Sequence, residues 1–182
     1  MNIDYAFNDL RQTLVHARAC DEIWWLIEGT HPERETIKNG CNQYVEFFQT
    51  VRPSMFISFV ILVGSLFDRS EDCITLKTIP EFKDDPAFEE LWNRGRKLYT
   101  FRSKSIAHRT IKNDSENFAA ATGFTYTGVR AILADSISLY DRIAKSQNRI
   151  AISDINISPK EDLLDLLRRL STAGAHPVDG GQ

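Results

Sequence analysis

The chain lacks the residue patterns that mark most metal sites and many enzyme families. Its three cysteines are widely spaced and form no C-x-x-C pair, which argues against a disulfide framework and against a zinc site. There is no glycine-rich phosphate loop, no H-E-x-x-H, no G-x-S-x-G and no calcium-binding loop. We therefore expect no metal site and no cofactor.

Signals for export and for membrane insertion are also missing. The N-terminus has no basic segment followed by an apolar core, so no signal peptide is predicted. The most apolar segment, residues 55–67, would form only about 20 Å of helix, too short for a membrane core of about 30 Å. We expect this segment to be a central buried helix. The sequence thus predicts a cytoplasmic protein without a membrane partner.

Proline and glycine are scarce, with six and nine residues, while 42% of the chain is apolar. This balance is typical of a folded globular protein. A length of 182 residues fits one domain. We predict that domain over residues 1–170 and a disordered C-terminal tail, rich in glycine, over residues 171–182.

Apolar residues recur at helical spacing through most of the chain, and no strand pattern is stronger than the one at 149–157. The fold class predicted is all-α, a bundle of about five to six helices. The helices are expected at 3–27, 30–50, 55–67, from 85 through the basic stretch, 126–147 and 158–170. Thr30 and Ser158 each begin a capping-box pattern with a glutamate three residues later. The leucines of the last helix would dock either on the domain or on a second subunit.

Positive charge is concentrated in residues 91–113. This stretch holds seven of the 22 Lys and Arg residues and no acidic residue, although the whole chain has a formal net charge of −3. A sequence pI near 5.8 argues against bulk electrostatic binding to nucleic acid, whereas a local patch is compatible with it.

Arg102 falls in the middle of an apolar helical stripe within this stretch. At 100° per residue the stripe contains Phe88, Leu91, Trp92, Gly95, Leu98, Tyr99 and Ile106. A buried guanidinium needs an anionic partner, a route to solvent or a cleft that receives an anion. Asp68 is a candidate partner. His108 lies about 240° around a straight helix from Arg102, so a joint site needs a bend or a second copy of the motif across a dimer.

The segment Arg102-Ser-Lys-Ser-Ile-Ala-His108 is similar to the R-x(4–6)-H motif of the HEPN superfamily (higher eukaryotes and prokaryotes nucleotide-binding). The sequence Leu66-Phe-Asp-Arg69, which closes an apolar segment, also resembles the abortive-infection group of that superfamily. The resemblance extends over roughly residues 3–144 as an order of helices. It implies a helical bundle that is usually a homodimer with metal-independent endoribonuclease activity.

Roles for individual residues follow from this resemblance. His108 would be the general acid or base, and Arg102 would bind the scissile phosphate. Lys104 and Arg109 would bind neighbouring phosphates, and Asp68 is included with them as a supporting residue. Ser103 occupies a position where the family commonly has Asn, Asp or His, and its hydroxyl can also hydrogen-bond.

The expected partners are RNA, a second copy of the chain, and an antitoxin or other regulatory protein of a phage-defence or toxin system. Two alternatives to the nuclease are open. One is a non-catalytic HEPN-like module that binds a protein or a nucleotide. The other is an unrelated helical dimer whose basic stretch is a solvated face.

Overall fold

The computed structural model describes residues 2–101 and 125–173, and helices are the only regular elements in these two ranges. The α-helices there are α1 (Ile3–Glu28), α2 (Arg34–Asn42), α3 (Val45–Ser65), α4 (Pro80–Lys83), α5 (Phe88–Phe101), α6 (Tyr126–Ser146) and α7 (Pro159–Ala173). Short 3-10 helices occur at Leu76–Thr78 and Ile152–Asp154. The all-α prediction is confirmed. The strand-like pattern at 149–157 contains the second 3-10 helix instead.

The chain divides into two compact units, and α1 and α3 contribute residues to both. Unit 1 contains Met1–Arg18 and Ile57–Asn156. Unit 2 contains Ala19–Phe56 and Ile157–Gln182. The single domain over 1–170 stays a prediction. Helix α7 continues to Ala173, three residues past the predicted domain end, and residues 174–182 of the predicted tail lie outside the described residues.

Three aromatic rings hold α1, α4 and α6 together in unit 1. Phe7 lies 5.6 Å from Phe82 and 5.9 Å from Tyr140, measured between ring centroids, and both contacts are edge-on. The Tyr140 hydroxyl donates a hydrogen bond to the Phe7 carbonyl at 3.2 Å, so the buried polar group is satisfied. Burial raises the pKa of Tyr140. The apolar stripe predicted for α1 is confirmed in this unit, where Leu10, Leu14 and Ala17 are buried.

Helix α6 matches its predicted bounds within one residue. Thr125 caps it by accepting a hydrogen bond from the Gly128 N–H at 3.1 Å. Its buried face includes Ser136, Leu139 and Ala144, while Ile137 and Ile143 are half-buried.

Unit 2 has its own core, where α7 packs on α2. The buried side chains are Leu26, Ile27, Ile37, Phe48, Leu164 and Leu167. The two helices approach closely at Gly40, where an added Cβ would lie 2.6 Å from the Leu167 carbonyl oxygen. The Arg168 guanidinium donates to both carboxylate oxygens of Glu33 at 2.7 and 2.5 Å. Leu164 and Leu167 thus dock on their own chain.

Helix boundaries in residues 30–53 differ from the prediction. Helix α2 begins later, after Glu33, whose side chain makes no capping hydrogen bond and instead binds Arg168. The chain turns at residues 43–44, where the Tyr44 N–H donates to the Cys41 carbonyl at 3.1 Å. Helix α3 then continues through Pro53, which lies inside the helix. Proline would be expected at the beginning of a helix, because it lacks the N–H group that donates a hydrogen bond in the helix interior.

Helix α3 is therefore longer than the thirteen-residue helix expected from sequence. With 21 residues and a mean hydropathy of 1.5 over its best 18-residue window, it is long and apolar enough to cross a membrane. Core helices of soluble proteins pass the same test, so the result is weak evidence for a membrane-spanning helix. In this structure 28% of the window is buried. Burial is concentrated near its C-terminal end, where Phe59, Val60 and Val63 are inaccessible.

Candidate functional site

One of the six predicted site residues, Asp68, lies in the described part of the chain. The other five lie outside the described residues: Arg102, Ser103, Lys104, His108 and Arg109. Asp68 is half-buried three residues after the end of α3 and lines a cleft. One of its carboxylate oxygens accepts a hydrogen bond from the Ser70 N–H at 3.0 Å. Its pairing with Arg102 stays a prediction.

Helix α5 leads directly to the predicted motif. Its apolar stripe is confirmed in the described residues, since Phe88, Leu91, Trp92 and Leu98 are all at least 95% buried. Gly95 lies on the same face against the Phe67 ring, and a Cβ there would overlap that ring. The helix begins later than predicted, because the preceding residues form a turn in which Asp85 accepts a hydrogen bond from the Ala87 N–H at 2.9 Å.

A cleft of ≈ 690 Å³ opens in unit 1 between the loop after α3, α4 and α5. Four basic side chains line it: Arg69, Lys77, Lys83 and Arg96. Three acidic side chains line it as well: Asp68, Glu71 and Asp72. Trp92 contributes an aromatic ring. The cleft thus combines cations, which can bind anions such as phosphates, with carboxylates, which can accept hydrogen bonds.

Its four cations make no ion pair with any carboxylate of the described residues. Other arginines do pair, since Arg142 binds Asp85 at 2.9 Å and Arg149 binds Asp4 at 2.6 Å. The carboxylates that share the cleft therefore do not neutralise its cations by direct contact. Within residues 2–101 and 125–173, these four charges therefore have no carboxylate partner.

Lys77 is held in place by local structure. The Thr75 side chain accepts a hydrogen bond from the Lys77 N–H at 3.2 Å, and Thr78 Oγ1 accepts one from the Thr75 N–H at 2.9 Å. This reciprocal pair is a capping box that fixes the 3-10 turn. The Lys77 ammonium lies 4.2 Å from the centroid of the Trp92 ring, a cation–π contact. Lys77 is therefore positioned before any ligand arrives.

The three basic residues of α5 in the described range have different surroundings. Arg94 forms an ion pair with Asp135 of α6, so its charge is largely committed to holding the two helices together. Arg96 lines the cleft two residues later. Lys97 is exposed. The position of each basic residue on the helix thus decides whether it is in an ion pair, lines the cleft or is exposed to solvent.

Sequence patterns did not identify most of the cleft. Among the residues that line the cleft, only Asp68 was predicted as a site residue, and Lys77, Lys83 and Trp92 were not singled out as binding residues. A signal was present in Thr75-x-x-Thr78, a capping pattern that predicts an ordered turn at this position. The convergence of the loop with α5 depends on tertiary packing.

Comparison with known protein families identifies a match. The family model of HEPN proteins described as AbiU2 matches residues 2–149, a range that includes the cleft and residues 102–108. No curated protein and no solved structure matches significantly.

Proposed function

The chain belongs to the AbiU2 family of HEPN proteins, the abortive-infection type, and we propose that it is a metal-independent endoribonuclease of phage defence. The family match over residues 2–149 is the observation that carries this proposal. The matched range includes the R-x5-H segment from Arg102 to His108. The cations that line the cleft add support, because RNA is a polyanion.

In the proposed reaction the ribose 2′-hydroxyl attacks the adjacent phosphorus while the bond to the 5′-oxygen of the next nucleotide breaks, which leaves a 2′,3′-cyclic phosphate and a 5′-hydroxyl end. His108 accepts the 2′-hydroxyl proton or donates a proton to the leaving oxygen, roles common for histidine, and water exchanges the other proton. Arg102 binds the phosphate and stabilises the negative charge on its oxygens. Lys104 and Arg109 bind adjacent phosphates.

Incubation of the purified chain with total RNA in the presence of EDTA tests the proposal. We expect the wild type to cleave RNA. We expect His108→Ala to lower the rate on the order of 10²–10⁴-fold, the range for loss of a general acid or base. Arg102→Ala should lower it on the order of 10²–10³-fold, as for loss of an oxyanion-stabilising donor.

His16→Ala and Arg169→Ala are the matched controls. His16 is exposed on α1, and Arg169 forms a surface ion pair with Asp165. Both controls should cleave at the wild-type rate. Wild-type protein that is folded and inactive in EDTA, or His108→Ala that is as active as wild type, would contradict the nuclease assignment and favour a binding module.

A further inference from the structure

The cleft of unit 1 has cations on four structural elements. Arg69 lies in the loop after α3, Lys77 in the 3-10 turn, Lys83 at the end of α4 and Arg96 on α5. Because these cations come from four elements around a space of ≈ 690 Å³, they suit a ligand with several negative groups better than one small anion. A chain of phosphates at regular intervals is such a ligand. The arrangement therefore suits an extended polyanion.

Its carboxylates narrow the ligand class further. Asp68, Glu71 and Asp72 would repel an anion that offers no hydrogen-bond donors, such as inorganic polyphosphate. A ribonucleotide strand offers hydrogen-bond donors between its phosphates, namely the 2′-hydroxyl groups and the base amino groups. A cleft with both charges matches a ligand with phosphates and donors in alternation.

We propose that this cleft binds the phosphates of the RNA strand that flanks the scissile bond. Arg96 is on the helix that leads to Arg102, six residues further along the chain. The inference rests on the proposed nuclease function for the identity of the strand. The cleft supplies affinity, and the residues from Arg102 to His108 supply the chemistry.

The test measures RNA binding separately from RNA cleavage. In a His108→Ala background, Lys77→Gln and Lys83→Gln are introduced together, and binding of a fluorescently labelled oligoribonucleotide that contains all four bases is followed by anisotropy at several salt concentrations. We expect binding to weaken on the order of tenfold at low salt. The slope of log K against log salt should become shallower by roughly 0.7 for each phosphate that the variant no longer neutralises.

Lys38→Gln with Lys160→Gln is the matched control. It removes the same charge from unit 2, outside the cleft, and should leave the salt slope unchanged. Because Lys77 also packs on Trp92, a second variant, Lys83→Gln with Arg96→Gln, guards against a folding defect. It should show the same weakening of binding, with the thermal unfolding midpoint unchanged.

Three results would overturn the inference. In the first, the second cleft variant binds the oligonucleotide as tightly as its His108→Ala parent. In the second, the parent does not bind the oligonucleotide. In the third, the cleft pair and the control pair weaken binding equally. Titration with ATP distinguishes binding of a free nucleotide from binding of an RNA strand. If the cleft residues were needed for binding of ATP but not of RNA, the inference would also be overturned. If the wild type cleaves RNA in EDTA but the cleft variants bind RNA as tightly as their parent, the proposed nuclease function would be retained. The proposal that the cleft binds RNA would be rejected.

Discussion

Single residues of like charge have different roles according to what they contact. In α5, Arg94 is paired with Asp135 while Arg96 faces the cleft. Just before α2, Glu33 was expected to complete a capping box, and it instead accepts two hydrogen bonds from Arg168. A residue's charge is visible in the sequence. Its partner, often far along the chain, is not.

The Glu33–Arg168 pair makes a pH-dependent contribution to stability. Hydrogen bonding and charge attraction from Arg168 lower the pKa of Glu33 from its ordinary value of 4.5. A carboxyl group with a lowered pKa stabilises the fold above its unfolded-state pKa, and this stabilisation is lost as pH falls through the folded-state pKa. Glu33→Gln should therefore lower the thermal unfolding midpoint slightly at pH 7, and the difference from wild type should vanish well below pH 4.5.

Thermal melts of both proteins from neutral to acid pH measure this difference. Glu35→Gln is the control, because Glu35 is exposed in the first turn of α2 and forms no ion pair in the described residues. A difference between wild type and Glu33→Gln that stays constant across the whole pH range would show that the ion pair is not its source.

At the scale of helices, close approach depends on glycine at two crossings, one in each unit. Gly40 permits α2 to pack on α7, and Gly95 permits α5 to pack against Phe67 just beyond the end of α3. The apolar stripe of α5 was predictable from its period. The need for glycine within that stripe was not, because it depends on the neighbouring ring. This second contact positions α5 beside the loop that forms the cleft.

Gly95→Ala should destabilise the protein by up to about 2 kcal/mol. In an exposed helix the same change would stabilise by about 1 kcal/mol. Here the added methyl group would overlap the Phe67 ring, and overpacking costs about 1–3 kcal/mol. Urea unfolding followed by circular dichroism measures the change.

Phe67→Leu combined with Gly95→Ala provides the control for this explanation. The smaller side chain gives the methyl group space, so the double variant should be more stable than the sum of the two single changes predicts. Asn93→Ala, at an exposed position of the same helix, should change stability by less than about 0.5 kcal/mol. Stabilisation by Gly95→Ala alone would contradict the packing described here.

For the whole molecule, we propose that two copies of the chain share the catalytic site. On a straight helix Arg102 and His108 would be about 120° apart by the shorter way, since six residues at 100° each make 600°, and a symmetric dimer would bring the arginine of one copy to the histidine of the other. Equal co-expression of Arg102→Ala and His108→Ala chains should then restore RNA cleavage to about a quarter of the wild-type level, because mixed dimers keep one intact site.

Cleavage by the mixture is compared with cleavage by each single variant, after native mass spectrometry has measured the fraction of mixed dimers. A mixture that contains mixed dimers and is no more active than either variant would exclude a site shared between subunits. A purely monomeric wild type with full activity would exclude it as well.

The sequence by itself determined the helical class, the buried stripes of α1 and α5 and the resemblance to HEPN proteins. These features are local, because a helical period and a short motif lie within neighbouring residues. Only the tertiary structure decided where α2 ends and which cations line a cleft open to a ligand. Ion pairs can join residues that are distant in the chain, as Arg94 and Asp135 do across 41 positions. Packing therefore decides that Arg94 of α5 is in an ion pair while Arg96 lines the cleft.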